Sequence, residues 1–150
     1  MAGDVKLNRI TNKVTGKLSG FSLIEVMIVV VIVGVLASIA VPAYQRHVIS
    51  SNRASATACL TELAQFMERT YSQNMRYNPH DFIVPQLQCR TDLAQRYTIL
   101  LSNHNIRTYT LSAQPTSLQN DTDCGTLTLN QAGRKGANGG FDAAVVRQCW

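Results

Sequence analysis

The residue whose chemistry is least expected in its surroundings is Glu25, a carboxylate near the start of a long apolar run. An ionisable group inside a membrane segment is costly and usually functional. Phe21 begins this run directly after Ser19 and Gly20, and no small-x-small cleavage pattern precedes it. Both features argue against an ordinary membrane anchor or secretory signal. The tripeptide Ser-Ile-Ala at 38–40 leaves conventional signal peptidase cleavage as an alternative, which the acidic residue weakens.

Cysteine chemistry is the second signal, because all four cysteines follow the apolar run: Cys59, Cys89, Cys124 and Cys149. No two of them form a CxxC pair, so a zinc ribbon or a thioredoxin-type site is not favoured. An even number beyond a membrane signal indicates two disulfides in an oxidising compartment. Three pairings are possible, and four free thiols in a cytosolic protein are the alternative.

Six cations in the second half of the chain would form a DNA-contacting surface if the fold brought them together: Arg90, Arg96, Arg107, Arg134, Lys135 and Arg147. Phosphate binding needs several clustered cations, and a scattered, solvated set is the alternative. Residues 43–150 hold ten Arg or Lys against seven Asp or Glu. This balance alone does not favour nucleic acid binding.

Other patterns do not predict a catalytic or metal site. The glycine-rich stretch 133–140 lacks the Gly-Lys-Ser/Thr ending of a phosphate-binding loop and is better interpreted as a solvated turn. His47, His80 and His104 are not at metal-ligand spacing with acids or cysteines. No Ser–His–Asp or paired-carboxylate pattern stands out, so we expect no enzyme activity, no metal and no cofactor.

The elements around Glu25 are a basic leader and a membrane-length helix. Residues 1–20 carry four Lys or Arg against one Asp, a large part of the net charge of +5. The 21 residues 21–41 would span roughly 30 Å as a helix, which matches a bilayer core. The positive flank should stay cytoplasmic and place the rest of the chain across the membrane.

The remaining sequence predicts an α+β domain. Apolar residues at three- and four-residue steps mark one buried helical face: Ala56, Leu60, Leu63, Met67 and Tyr71. We therefore predict one helix over 21–74, kinked near Pro42, with Glu62, Gln65, Glu68 and Arg69 on its other side. An irregular connection over 78–94 follows. Alternating apolar and polar residues then predict strands over 96–102, 108–113 and 125–129.

The run Gly20-Phe21-Ser22-Leu23-Ile24-Glu25, continued through Val41-Pro42-Ala43-Tyr44, closely resembles the class III signal of type IV prepilins and their pseudopilin relatives. The resemblance implies that a prepilin peptidase cuts between Gly20 and Phe21 and methylates the new Phe21 amine. It also implies that Glu25 and Pro42 serve assembly, since Glu25 is thought to pair with the Phe21 ammonium of a neighbouring subunit. Such a pair offsets two charges that are costly in an apolar filament core.

The second half resembles minor pilins of the PilE type, and the stretches that carry the likeness are 58–60, 66–69, 109–113, 124–130 and the terminal Cys149-Trp150. DNA-uptake pilins of the ComP type share this cysteine-rich plan, whereas a major pilin or a type II secretion pseudopilin is less favoured. We expect the pairs Cys59–Cys89 and Cys124–Cys149, the second stapling a C-terminal loop to the last strand.

The expected fold is the type IV pilin "lollipop", a long N-terminal helix packed on a three- to four-stranded antiparallel sheet. Its expected parts are a leader (1–20), a membrane and filament-core segment (21–43) and a periplasmic headgroup (44–150). The expected function is that of a structural minor subunit needed for pilus assembly, priming and twitching motility, with DNA reception as the alternative. Expected partners are major and minor pilins, the prepilin peptidase, the inner-membrane assembly platform, the extension ATPase and, in the alternative, DNA.

Overall fold

A computed structural model describes residues 20–150 of the chain; the predicted leader falls at 1–19 outside this range, apart from Gly20. The chain divides into two compact units, one ending at Ile39 and the other running from Ala40 to Trp150. Helix α1 covers Leu23–Asn74, two residues shorter at its start than predicted. Among residues 20–150 it is the one helix that is long and apolar enough to cross a membrane.

Pro42 lies inside α1 without ending it, as predicted. A proline in a helix removes one backbone N–H donor, so the carbonyl of Ser38 loses its usual i+4 partner. The predicted kink at this position stays a prediction. Glu25 lies in the first turn of α1, where the positive end of the helix dipole favours a carboxylate.

Within the second unit, α1 buries one face against a sheet. Ala56, Leu60, Leu63 and Met67 are buried as their spacing predicted. Cys59 and Thr70 complete this face, whereas Tyr71 is only half-buried. Burying such a stripe on a second layer is what stabilises an amphipathic helix segment in water.

The sheet has four antiparallel strands in the spatial order β1-β2-β3-β4. They are β1 (Tyr97–Ser102), β2 (Thr110–Pro115), β3 (Leu127–Asn130) and the two-residue β4 (Lys135–Gly136). Tyr97 pairs with Pro115, Leu111 with Leu129 and Thr128 with Gly136. The α+β class with a four-stranded antiparallel sheet is thus confirmed. Strand β4 was not predicted, because two residues are too few for a visible alternation.

Two short helices lie where the sequence predicted irregular connections. Helix α2 (Gln88–Leu93) replaces part of the irregular segment predicted over 78–94. Helix α3 (Ala143–Cys149) follows Asp142, whose carboxylate accepts hydrogen bonds from the N–H groups of Ala144 and Val145 and so caps the helix. The predicted C-terminal loop around Cys149 is therefore helical.

A buried polar network ties the β2–β3 connection to α1. Arg53 donates two hydrogen bonds of 2.7 Å to the carboxylate of Asp121, whose side chain is 1% exposed. The Tyr97 hydroxyl donates to the same carboxylate at 2.9 Å, and the Cys124 N–H at 3.2 Å. Gln119 extends the network by donating to the carbonyl of Ile49 at 2.8 Å. Among residues 20–150, the one buried side-chain N or O atom without a hydrogen-bond partner is Asn78 Oδ1, which lies outside this connection. The buried side chains of the network are therefore satisfied, as burial requires.

Candidate functional sites

The predicted processing and assembly residues lie in the first unit. Gly20 is exposed, and no atom lies within 4 Å of where its Cβ would be. Phe21 is 83% exposed. The N–H of Glu25 donates to the carbonyl of Ser22 at 3.1 Å, and its side chain is exposed. Between residues 20 and 150, no Lys, Arg or His lies within salt-bridge distance of the Glu25 carboxylate.

The structure joins the cysteines in the two predicted pairs. Cys59 on α1 is bonded to Cys89 on α2, with an S–S distance of 2.04 Å. Cys124, which precedes β3, is bonded to Cys149 on α3 at 2.03 Å. The first bond fixes α2, and with it the connection after α1, to α1. The second joins the end of the β2–β3 connection to α3, rather than joining a loop to the last strand as predicted.

The six cations considered for DNA contact do not form one group. Arg90 on α2 and Arg96 just before β1 lie at the β1 side of the sheet, and Arg107 lies in the β1–β2 connection. The guanidinium of Arg90 donates to the carbonyl of Pro85 at 3.1 Å, and that of Arg96 donates to the carbonyl of Leu118. Lys135 lies on β4, at the opposite edge of the sheet.

A second group, which we call the C-terminal basic surface, consists of Arg134 and Lys135 at the β4 edge of the sheet with the rings of Phe141 and Trp150. Arg147 lies on α3, where its Nε donates to the carbonyl of Ala143 at 3.2 Å. The Arg134 guanidinium carbon lies 3.9 Å from the centroid of the Phe141 ring, and the Lys135 ammonium lies 5.0 Å from that of Trp150. Trp150 donates from Nε1 to the carbonyl of Gly136 at 3.0 Å, which fixes the indole beside β4. Cations and aromatic faces are the two components that bind nucleic acid backbones and bases.

Sequence reasoning missed a carboxylate between α1 and the sheet. Glu68 accepts hydrogen bonds from the hydroxyls of Tyr77 and Tyr109, both into Oε1, at 3.0 and 3.1 Å. Tyr77 is nine residues from Glu68 but lies beyond the end of α1, and Tyr109 is 41 residues away, so helical periodicity does not indicate that the three meet. Burial raises the pKa of Tyr77 to about 12, and the Glu68 carboxylate adds to this shift. Both phenols therefore stay neutral donors near pH 7.

Comparisons with known proteins match both parts of the chain. Residues 42–128 match the family model described as "Type IV minor pilin ComP, DNA uptake sequence receptor". This chain is a type IV minor pilin of the ComP family. Residues 17–41 match the prokaryotic N-terminal methylation motif, which confirms the prepilin resemblance.

Individual relatives are also pilins or fimbrial proteins. The fimbrial protein EcpC of Eikenella corrodens is 57% identical over 37 residues, and the chain spans about a quarter of its length (24%). A type IV pilin from Shewanella oneidensis is 25% identical over 63% of this chain and 98% of its own, with a TM-score of 0.46. The non-core minor pilin PilV of Neisseria meningitidis is 26% identical over 65% of this chain and 93% of its own, with a TM-score of 0.47.

Family membership establishes several features of this ComP-type pilin. Pilins are structural proteins rather than enzymes, and a minor pilin associates with other pilins. The methylation motif and the apolar first part of α1 fit anchoring in the inner membrane and incorporation into a pilus. Among residues 20–150, no group of three His, Cys, Asp or Glu is placed to hold a metal ion.

Proposed function

We propose that this pilin is a DNA receptor of a type IV pilus, carried in the filament as a minor subunit. The observation that carries the proposal is the family match over 42–128, which takes in most of the second unit, with β1, β2 and the first two residues of β3. This match puts DNA reception, the alternative in the sequence analysis, ahead of a purely structural role.

The C-terminal basic surface is the part of the headgroup best suited to DNA. Its two cations are accompanied within 131–150 by one acidic residue, Asp142, whose carboxylate is engaged in capping α3. Phosphate binding by such cations releases counterions and gives salt-dependent affinity. Arg90, Arg96 and Arg147 are less suited, because their guanidinium groups already donate to backbone carbonyls. Arg107 is exposed and lies apart from both groups in sequence.

A structural role in assembly, priming and twitching motility is the second candidate, and it is favoured by the exposed Phe21 and Glu25. In this proposal the peptidase cuts between Gly20 and Phe21 and methylates the Phe21 amine. Segment 21–43 then holds the subunit in the inner membrane by a single pass, with the headgroup from residue 44 in the periplasm. The assembly platform and extension ATPase move it into an extracellular filament, where Glu25 pairs with the amine of a neighbour and offsets both charges.

A deletion strain separates the two candidates. A DNA receptor predicts normal pili by electron microscopy and normal twitching, but a loss of transformation by added DNA. A structural subunit needed for assembly predicts sparse or absent pili and lost twitching. Normal transformation in a piliated deletion strain would overturn the receptor proposal.

Binding to DNA by the purified protein tests the proposed surface. We expect Arg134→Gln with Lys135→Gln, in full-length pilin in detergent, to weaken DNA binding and to lower the salt slope by about 1 for each phosphate that the variant no longer neutralises. The matched control is Arg46→Gln with Arg69→Gln, which removes two exposed cations of α1. Competition with a scrambled duplex shows whether one sequence is preferred. Equal losses of affinity in both double variants would show that only net charge matters.

A further inference from the structure

A groove beside Glu68 separates α1 from the β3–β4 edge of the sheet. Its volume is about 510 Å³, and its lining includes Ala64, Glu68, Tyr109, Leu129 and Lys135. Apolar surface is provided by Ala64, by Leu129 and by the Tyr109 ring. The Lys135 ammonium lies near the Trp150 ring, 5.0 Å from its centroid. The groove thus combines apolar walls with one carboxylate, from Glu68, and one ammonium, from Lys135, which lies against the Trp150 ring.

The Glu68 carboxylate is held in place but its charge is not compensated. Its hydrogen-bond donors are the neutral hydroxyls of Tyr77 and Tyr109, which come from different segments of the chain. Over the described range 20–150, no Lys, Arg or His nitrogen lies within 4.0 Å of this carboxylate. Two neutral donors fix the orientation of the group and leave its full negative charge at the groove.

A long basic side chain matches these features. Lys and Arg bury an apolar stem along apolar surface while their charged head binds elsewhere. A stem against Ala64 and Leu129 would bring the head to Glu68, where an oriented carboxylate accepts a charge-assisted hydrogen bond. A DNA phosphate is disfavoured at the same place, because it would meet a like charge.

We propose that this groove binds an arginine or lysine side chain of a neighbouring pilin subunit in the filament. The occupant belongs to a pilin because a minor pilin associates with other pilins. Its head is a cation because the Glu68 carboxylate has no Lys, Arg or His nitrogen within 4.0 Å among residues 20–150, Lys135 included. The inference rests on incorporation into a pilus and not on DNA reception, so a result that refutes one proposal leaves the other standing.

The test replaces Glu68 by Gln in the full-length protein expressed from its own locus. A Gln amide oxygen still accepts from both phenols, so the tether to the sheet is kept while the charge is lost. We expect the ratio of this pilin in sheared pili to that in whole cells to fall about fivefold, as for a partly desolvated charge pair. Purified Glu68→Gln pilin should bind DNA at least as tightly as wild type, because the variant removes a negative charge from a groove that Lys135 also lines.

Two variants distinguish the charge from the tether. Glu62→Gln removes an exposed carboxylate of α1 that does not line this groove, and it should leave the ratio unchanged. Tyr109→Phe removes one donor but keeps the charge, so it should lower thermal stability with little effect on the ratio. An unchanged ratio in Glu68→Gln would overturn the proposal. An equal fall in Tyr109→Phe and Glu68→Gln would overturn it as well, because the tether would then be the cause.

Discussion

The ion pair between Arg53 and Asp121 offers the sharpest test of how the headgroup is held together. Asp121 is 4% exposed and accepts from Arg53, from the Tyr97 hydroxyl and from the Cys124 N–H. Asp121→Asn keeps the size of the side chain but replaces the charge by an amide that can no longer accept at both positions. Arg53, whose side chain is 13% exposed, would then be a nearly buried cation without its partner.

The expected loss of stability follows from burial and geometry. Removing one member of a buried ion pair costs about 3–5 kcal/mol, and the remaining exposure of Arg53 favours the lower end. A loss of about 3 kcal/mol would lower the melting temperature by roughly 10 °C for a domain of this size. The β2–β3 connection should loosen first, since Asp121 and Gln119 fix it to α1.

The assay is thermal and urea unfolding of full-length pilin in detergent, followed by near-ultraviolet circular dichroism with the disulfides intact. Asp123→Asn is the matched control, because it changes an exposed carboxylate two residues away and should stay within about 0.5 kcal/mol of wild type. The reasoning would be refuted if Asp121→Asn unfolded at the wild-type temperature, or if the control were destabilised as much.

The same variant predicts a pH dependence. Burial alone would raise the pKa of Asp121, but hydrogen bonds from Arg53, Tyr97 and the Cys124 N–H lower it below its usual 3.8. A lowered folded-state pKa means that the unfolded chain takes up the proton first as the pH falls. The stability due to Asp121 is therefore complete above about pH 5 and is lost as the pH falls through the folded-state pKa. The gap between wild type and Asp121→Asn should close over that acid range and stay constant at neutral pH.

Two further variants test other parts of the chain. Gly136→Ala should lower the free energy of unfolding by about 1–3 kcal/mol, because the new Cβ would meet Thr128 Oγ1 and the Gly140 carbonyl. Gly140→Ala is the control: its Cβ would enter open space, so it should be nearly neutral in the same urea titration. Glu25→Ala should be cut at Gly20–Phe21 like wild type yet reach sheared pili at about one tenth of the normal level, because the buried amine of a neighbouring Phe21 would lack its partner. Normal incorporation on immunoblots of sheared pili would remove the ion-pair explanation.

Local patterns predicted the long elements well. Helical periodicity over 53–71 and the apolar run 21–41 both depend on neighbours a few residues apart, and the structure has α1 over Leu23–Asn74. The three predicted strands begin one or two residues away from the observed ones. Helix α3 was missed because Gly139, Gly140 and Phe141 precede it, although Asp142 at its N-cap was a usable signal.

Placement across the sheet was not predictable from the sequence. Arg96 and Lys135 are both cations of the second half of the chain, but the strand order puts them at opposite edges of the sheet. The partners of Asp121 are also far from it in sequence, since Arg53 is 68 residues away and Tyr97 is 24. Such long-range pairs depend on how strands pair, which a single sequence specifies only through the whole packed core.

The two headgroup carboxylates that tie α1 to the rest of the unit differ in the charge of their donors. Asp121 is buried and receives a guanidinium, so its charge is cancelled within the subunit and its role is complete in the isolated chain. Glu68 is exposed and accepts hydrogen bonds from phenol hydroxyls. These bonds hold α1 to the rest of the unit, but they leave the carboxylate charge uncancelled. A neutral glutamine would tether equally well, because its amide oxygen also accepts hydrogen bonds. In the contact proposed above, this retained charge binds a cation from a neighbouring pilin.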